Sequence, residues 1–271
     1  MICKRVILIG LDGAGTAICD VPTPNINRVF SRGAYTYNAV AALPTISAEC
    51  WAAMLLGVLP AVHMLTNEHI EVHPYPVDSP YPTIFRMIRN AYPSCKLASF
   101  CSWQAIQIGI IEKNLDCYSV SAPDGELPGA VASYLAEHDP KLLFVQFDDC
   151  DYAGHDHGFF SQGHFDTVQL TDKYIGIILD SIEANGLWDD SLIMIVTDHG
   201  GGGEDSKEHG SAHPKDRTVF WGACGPGIRK GVILDAPVHI VDTAAICLKA
   251  LGLAPHKNMA ARIPSGMFID P

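Results

Sequence analysis

Among the 271 residues of this chain, a few acidic and imidazole side chains are spaced as metal ligands would be. Asp12 follows an apolar run at residues 6–9, and Asp148, Asp149 and Asp151 follow another at 142–147. Asp151 and His155 are four apart, so one helical turn sets both on the same face. Asp198 and His199 come straight after the run 192–197 and open onto four glycines, which permit close backbone approach. His209 and His213 lie in the polar loop beyond. Carboxylate oxygens with imidazole nitrogens are the mixture zinc accepts in catalytic sites that keep a position open. Each grouping alone also has a plainer reading, as a solvated acid–imidazole pair or as a turn whose Asp caps the next element.

A hydroxyl completes the set. In Leu43-Pro44-Thr45-Ile46-Ser47-Ala48-Glu49-Cys50-Trp51, Ser47 stands at the start of an apolar helical pattern. Ser at such a position fits an N-cap. The same geometry suits an anion, because the first N–H groups of a helix point at whatever lies in front of it.

These residues need a frame that brings them together. Short apolar runs at 5–9, 96–100, 142–147, 192–197 and 219–223 read as strands buried on both faces. Between them, helical patterns cover 24–31, 48–56, 83–91, 129–137, 164–184 and 241–251. That alternation predicts an α/β fold, a three-layer α/β/α sandwich on a mostly parallel sheet, with its site at the carboxyl ends of the strands. With 48% apolar and 18% charged residues, one domain over 1–271 is expected, with a proline-rich cap or loop around 66–82.

A net charge of -12 disfavours a nucleic acid polymer or an anionic membrane as partner. The apolar run at 6–9 is too short for a signal segment or a span, and nine scattered cysteines suit a reducing compartment, so a cytoplasmic location is expected.

Taken in order, the motifs resemble the alkaline phosphatase superfamily, and within it the type I phosphodiesterase and nucleotide pyrophosphatase family. The resemblance runs through Ile7-Leu8-Ile9-Gly10-Leu11-Asp12-Gly13, Thr23-Pro24-Asn25, Pro44-Thr45-Ile46-Ser47, Gly57-Val58-Leu59-Pro60-Ala61-Val62-His63, Asp151-Tyr152-Ala153-Gly154-His155, Asp198-His199-Gly200 and His209-Gly210. It implies an alkaline-phosphatase-like fold and a metal-dependent phosphoric ester hydrolase acting through a phosphoseryl intermediate on Ser47. It further implies two zinc ions, or manganese in their place. One would be held by Asp151, His155 and His209, the other by Asp12, Asp198, His199 and the Ser47 oxygen.

Two departures bear on substrate. Cys50 stands where the resemblance leads one to expect a phosphate-contacting Asn, and no sulfatase signature of Cys or Ser followed by Pro and Arg is present. A monoester would need extra positive charge, and apart from Lys207, Lys215 and Arg217 no Lys or Arg lies close to the motifs in sequence, which favours a small phosphodiester or pyrophosphate. A phosphomonoesterase or phosphonate hydrolase on the same scaffold is the near alternative, and a non-catalytic metal- or phosphate-binding module the distant one. His63, His157, His213 and Asp148 are secondary candidates, and Tyr75, Tyr81, Phe85 and Trp103 read as core before they read as a stacking surface.

Overall fold

Every residue of β1 (Arg5–Leu11) is buried, and its side chains alternate between two separate cores. Val6 and Leu8 face one side; Ile7, Ile9 and Leu11 face the other. A strand buried on both faces must lie inside a sheet covered by helices above and below. The computed structural model, which describes residues 2–269, shows this arrangement.

The sheet has eight strands: β1, β2 (Gly33–Val40), β3 (Lys96–Cys101), β4 (Cys117–Ser121), β5 (Pro140–Phe147), β6 (Ser191–Thr197), β7 (Thr218–Cys224) and β8 (Val232–Ile233). Their spatial order is β4-β3-β5-β1-β6-β7-β2-β8, and β7 alone runs against the rest. β1 therefore sits between β5 and β6, with Ile9 opposite Val145 on one side and Ile195 on the other.

On one face lie helices Ser47–Leu56, Ile84–Ala91 and Asp242–Ala250, which bury Trp51, Phe85 and Ile246 against Leu8, Phe144 and Met194. On the other lie Pro24–Phe30, Leu127–Glu137 and Gln162–Ala184, which bury Phe30, Val131 and Ile178 against Ile7, Val145 and Ile195. Each fully buried Leu, Ile or Phe is worth about 1.5–3 kcal/mol. A one-residue slip of β1 would exchange its two faces, so the register is fixed.

The expected three-layer sandwich is thus observed, with strand ends extended by one or two residues. β2, β4 and β8 were not expected. β4 is a half-exposed edge strand, with Tyr118 in solvent, and lacks an apolar run. β2 interrupts its apolar positions with Thr36 and Asn38. In the region 66–82, helix Asn67–Val72 forms first, with Thr66 Oγ1 accepting the His69 N–H, and irregular chain follows.

Candidate functional site

The carboxyl ends of β1, β5 and β6 are adjacent because those strands are neighbours, so the residues just beyond them converge. Asp12 follows β1, Asp198 and His199 follow β6, and Asp151 and His155 lie on helix Asp149–His157 directly after β5. Asp124 prepares that helix: its carboxylate accepts the backbone N–H groups of Asp148 and Asp149. The four-residue spacing then works as expected, with His155 Nε2 3.2 Å from Asp151 Oδ2.

The plainer reading of Ser47, as an N-cap, does not hold. Ile46 is the cap residue, no side chain caps the helix, and Ser47 is the first helical position. Its hydroxyl is directed at the cluster instead, 3.2 Å from Asp12 Oδ1 and 3.1 Å from His199 Nε2. Thr45 points elsewhere: Oγ1 donates to the Ser211 carbonyl, and the Thr45 carbonyl accepts a hydrogen bond from His209 Nδ1.

All three candidate histidines share one device. His155 Nδ1 donates to the Lys207 carbonyl at 2.6 Å, His199 Nδ1 to the Gly200 carbonyl at 2.9 Å, and His209 Nδ1 to the Thr45 carbonyl at 2.7 Å. With Nδ1 so committed, the tautomer is set and Nε2 presents its lone pair, the arrangement characteristic of metal-ligating imidazoles. The rings of His199 and His209 stack at 4.0 Å, and His155 and His209 lie 5.0 Å apart between centroids.

Two donor groups result. Asp12, Asp198 and His199 form one and Asp151, His199 and His209 the other, each with ligand atoms within 4.8 Å of one another. The buried oxygens Asp198 Oδ2 and Asp151 Oδ1 have no hydrogen-bond partner among the described residues; imidazole nitrogens stand 3.4 and 3.6 Å from them. Leaving a buried carboxylate oxygen unpaired costs more than a neutral one would, so the donor set suits bound cations.

The electrostatics agree. Burial, then repulsion from Asp12, pushes the Asp198 carboxyl well above the usual carboxylate range. Burial works against a charge on His199, yet Asp198, Asp12 and Asp151 together raise it to about 10. His209 is pushed down by burial and by the charge of His199.

Around the candidate ligands stand residues that the sequence reading passed over. Trp51 Nε1 donates to Asp12 Oδ2 at 2.6 Å, and Gln146 Nε2 donates both to that oxygen at 3.2 Å and to Asp148 Oδ1 at 2.9 Å. Both carried signals: Trp51 is four residues after Ser47 on one helix face, and Gln146 is the one amide in an apolar strand, opposite Gly10. Asn67 had none, being twenty residues from Ser47; its Oδ1 accepts the Ala48 N–H at 3.0 Å, beside Ser47 at the helix start. Cys50 is in the core, with Sγ against the carbonyls of Ala42 and Pro44, so its position is not one that reaches a phosphate.

The remaining candidates fall away from the cluster. His213 Nδ1 accepts the Lys215 N–H as a helix cap, and exposed His157 pairs with Asp156. Buried His63 supports its loop, between the Glu49 carbonyl and the Leu65 N–H. Phe85 is fully buried, and Tyr75 donates to the Tyr81 carbonyl, as core residues do.

The fold is shared with solved structures of ectonucleotide pyrophosphatase / phosphodiesterases and of sulfatases. The model of the type I phosphodiesterase / nucleotide pyrophosphatase family matches residues 113–239. Murine ectonucleotide pyrophosphatase / phosphodiesterase 5 superposes with a TM-score of 0.76 at 13% identity, covering 93% of this chain and 96% of that one. A 2-O GAG sulfatase superposes at 0.74 and 14% identity, over 96% of this chain and 73% of its own. In sequence, ectonucleotide pyrophosphatase/phosphodiesterase family member 7 of Rattus norvegicus is 34% identical over 70 residues, 26% of this chain. GPI ethanolamine phosphate transferase 1 of Candida glabrata is 29% identical over 99 residues, 36% of this chain. The matched stretches are 16% and 10% of those two relatives' own lengths. Among the described residues, no helix is long and apolar enough to cross a membrane.

Proposed function

We propose that the chain hydrolyses small phosphate esters, phosphodiesters or pyrophosphates of the nucleotide type foremost, with Ser47 as nucleophile at a two-metal centre. The observation that carries this is the placing of the Ser47 hydroxyl, at a helix start and within 3.2 Å of both Asp12 and His199. Asp12, Asp198, His199 and the Ser47 oxygen would hold one ion; Asp151, His155 and His209 would hold the other. Oxygen and nitrogen donors suit zinc, and manganese in its place. Such ions, when bound, supply positive charge that lowers the pKa of a hydroxyl and offsets charge gathering on a phosphoryl oxygen.

The chain's own residues do the rest. Trp51 and Gln146 fix Asp12, and Asp12 in turn orients the Ser47 hydroxyl. Ser47 Oγ attacks phosphorus in line, the bond to the leaving oxygen breaks, and water then hydrolyses the phosphoseryl ester from the vacated side. Asn67, with Oδ1 held by the Ala48 N–H, has its amide nitrogen to offer a non-bridging oxygen. Diesters are favoured because two of the nearby cations, Lys207 and Lys215, are engaged elsewhere. Lys207 donates to the Asp156 carbonyl, and Lys215 lies 5.7 Å from the Phe160 ring centroid. A reducing, cytoplasmic setting is part of the proposal, supported by nine free cysteines.

The test compares bis(p-nitrophenyl) phosphate with p-nitrophenyl phosphate, using native protein and Ser47→Ala, alongside metal analysis. The native protein should prefer the diester and Ser47→Ala should lose on the order of 10³-fold or more in kcat. Equal rates in the two proteins would reject Ser47 as the attacking group.

A further inference from the structure

A cavity of about 880 Å³ is lined in part by Ala41, Ala42 and Leu43, in the segment that leads to Ser47. That is within the range that holds a drug-sized molecule, roughly 300–1,000 Å³. Leu43, Leu59, Ile240, Ile263 and Pro264 give it apolar walls, and Leu43 and Leu59 are themselves exposed.

Two arginines, Arg217 and Arg262, break the apolar lining, with His239 and Asp242 beside them. Arg217 faces this cavity, and its Nε is buried with no hydrogen-bond partner among the described residues. The acids that could have matched it are committed. Asp216 accepts from Gly203 N, Ser211 N and Ser211 Oγ, and Asp242, also in the lining, accepts from His239 N and Arg262 N. A guanidinium with a buried, unpaired N–H is costly unless something accepts from it. In a chain of net charge -12, a cation left without an acid stands out further.

We infer that this cavity is a binding site for an organic anion with an apolar body, its anionic group on Arg217 and its body against Leu43, Leu59, Ile240 and Ile263. It is distinct from the cluster around Ser47. Its occupant bears on the same loop, because Leu43 precedes Thr45, whose carbonyl holds His209 Nδ1. The site does not depend on the hydrolytic reading.

Octane-1-sulfonate, which cannot be hydrolysed, is the probe, titrated by calorimetry into native protein with saturating inorganic phosphate present, so that the Ser47 centre is filled. Octan-1-ol supplies the body without the charge, and methanesulfonate the charge without the body. Octane-1-sulfonate should bind once per chain, equally to native protein and Ser47→Ala, and at least tenfold more tightly than either partial probe. Arg217→Met should erase its advantage over octan-1-ol, and Ala260→Trp, which fills the cavity while leaving Arg217 in place, should weaken both. Circular dichroism establishes that each variant is folded; if Arg217→Met is not, Ala260→Trp decides alone. The inference is overturned if octane-1-sulfonate does not bind, if phosphate displaces it, or if the folded variants bind it as native protein does.

Discussion

Asp12 is held by three donors of different kinds: the Ser47 hydroxyl on Oδ1, and the Trp51 indole and Gln146 amide on Oδ2. Removing the indole donor by Trp51→Phe leaves a buried carboxylate oxygen with one partner fewer. Outer hydrogen bonds of this type are worth 10–100-fold in metal affinity or activity, so Trp51→Phe should cost about tenfold in metal affinity, measured by competition with a chelating dye. His63 yields a prediction about pH. Burial pushes its imidazole down to about 4, against some help from the Glu49 carbonyl, and its Nδ1 accepts the Leu65 N–H, which a protonated ring could not do. The unfolded chain takes up a proton near pH 6.5 and the folded protein only near 4. Stability from this group is therefore whole above 6.5 and falls as pH drops towards 4, by about 3 kcal/mol at most. Urea titrations across that range should show a steeper loss for native protein than for His63→Asn.

At the scale of elements, the turn after β1 is shaped to admit the helix that carries Asp151 and His155. Gly13 has φ +65°, and a Cβ there would lie 2.6 Å from Asp151 Oδ1 and 2.8 Å from Asp151 Cα. Gly13→Ala should therefore displace Asp151 and cut activity while the far-UV circular dichroism stays native. What could be read from the sequence follows the same division. The central strands announce themselves because burial on both faces demands continuous apolar residues, and their order along the chain already places Asp12, Asp151 and Asp198 at strand ends. Edge strand β4 and strand β2 were hidden, since partial exposure relaxes that demand. Asp151 with His155 was legible from helical spacing. Asn67 was not, because its place beside Ala48 depends on how the chain returns after helix Ser47–Leu56, which no local pattern records. Ser47 itself was ambiguous until the structure showed Ile46 as the cap.

For the molecule as a whole, the buried carboxylates of Asp12 and Asp198 are an electrostatic load that cations bound there would relieve. A ligand present at a thousand times its Kd stabilises the folded state by roughly 4 kcal/mol. Chelation should then lower Tm by roughly 10 °C, read by scanning calorimetry with and without a chelator and restored by added zinc; an unchanged Tm would count against the metal centre. The sheet order has a consequence of another kind. β1 is made first, yet both its neighbours, β5 and β6, come more than a hundred residues later. At synthesis rates of about 5–20 residues per second, the strand waits roughly 10–40 s for the second of them. Throughout that interval a seven-residue ribbon of bare amides and greasy side chains is on offer to any passing strand. The nascent protein is thus most vulnerable to clumping before its centre has been assembled, and should depend on holding factors at the ribosome more than its finished form would suggest.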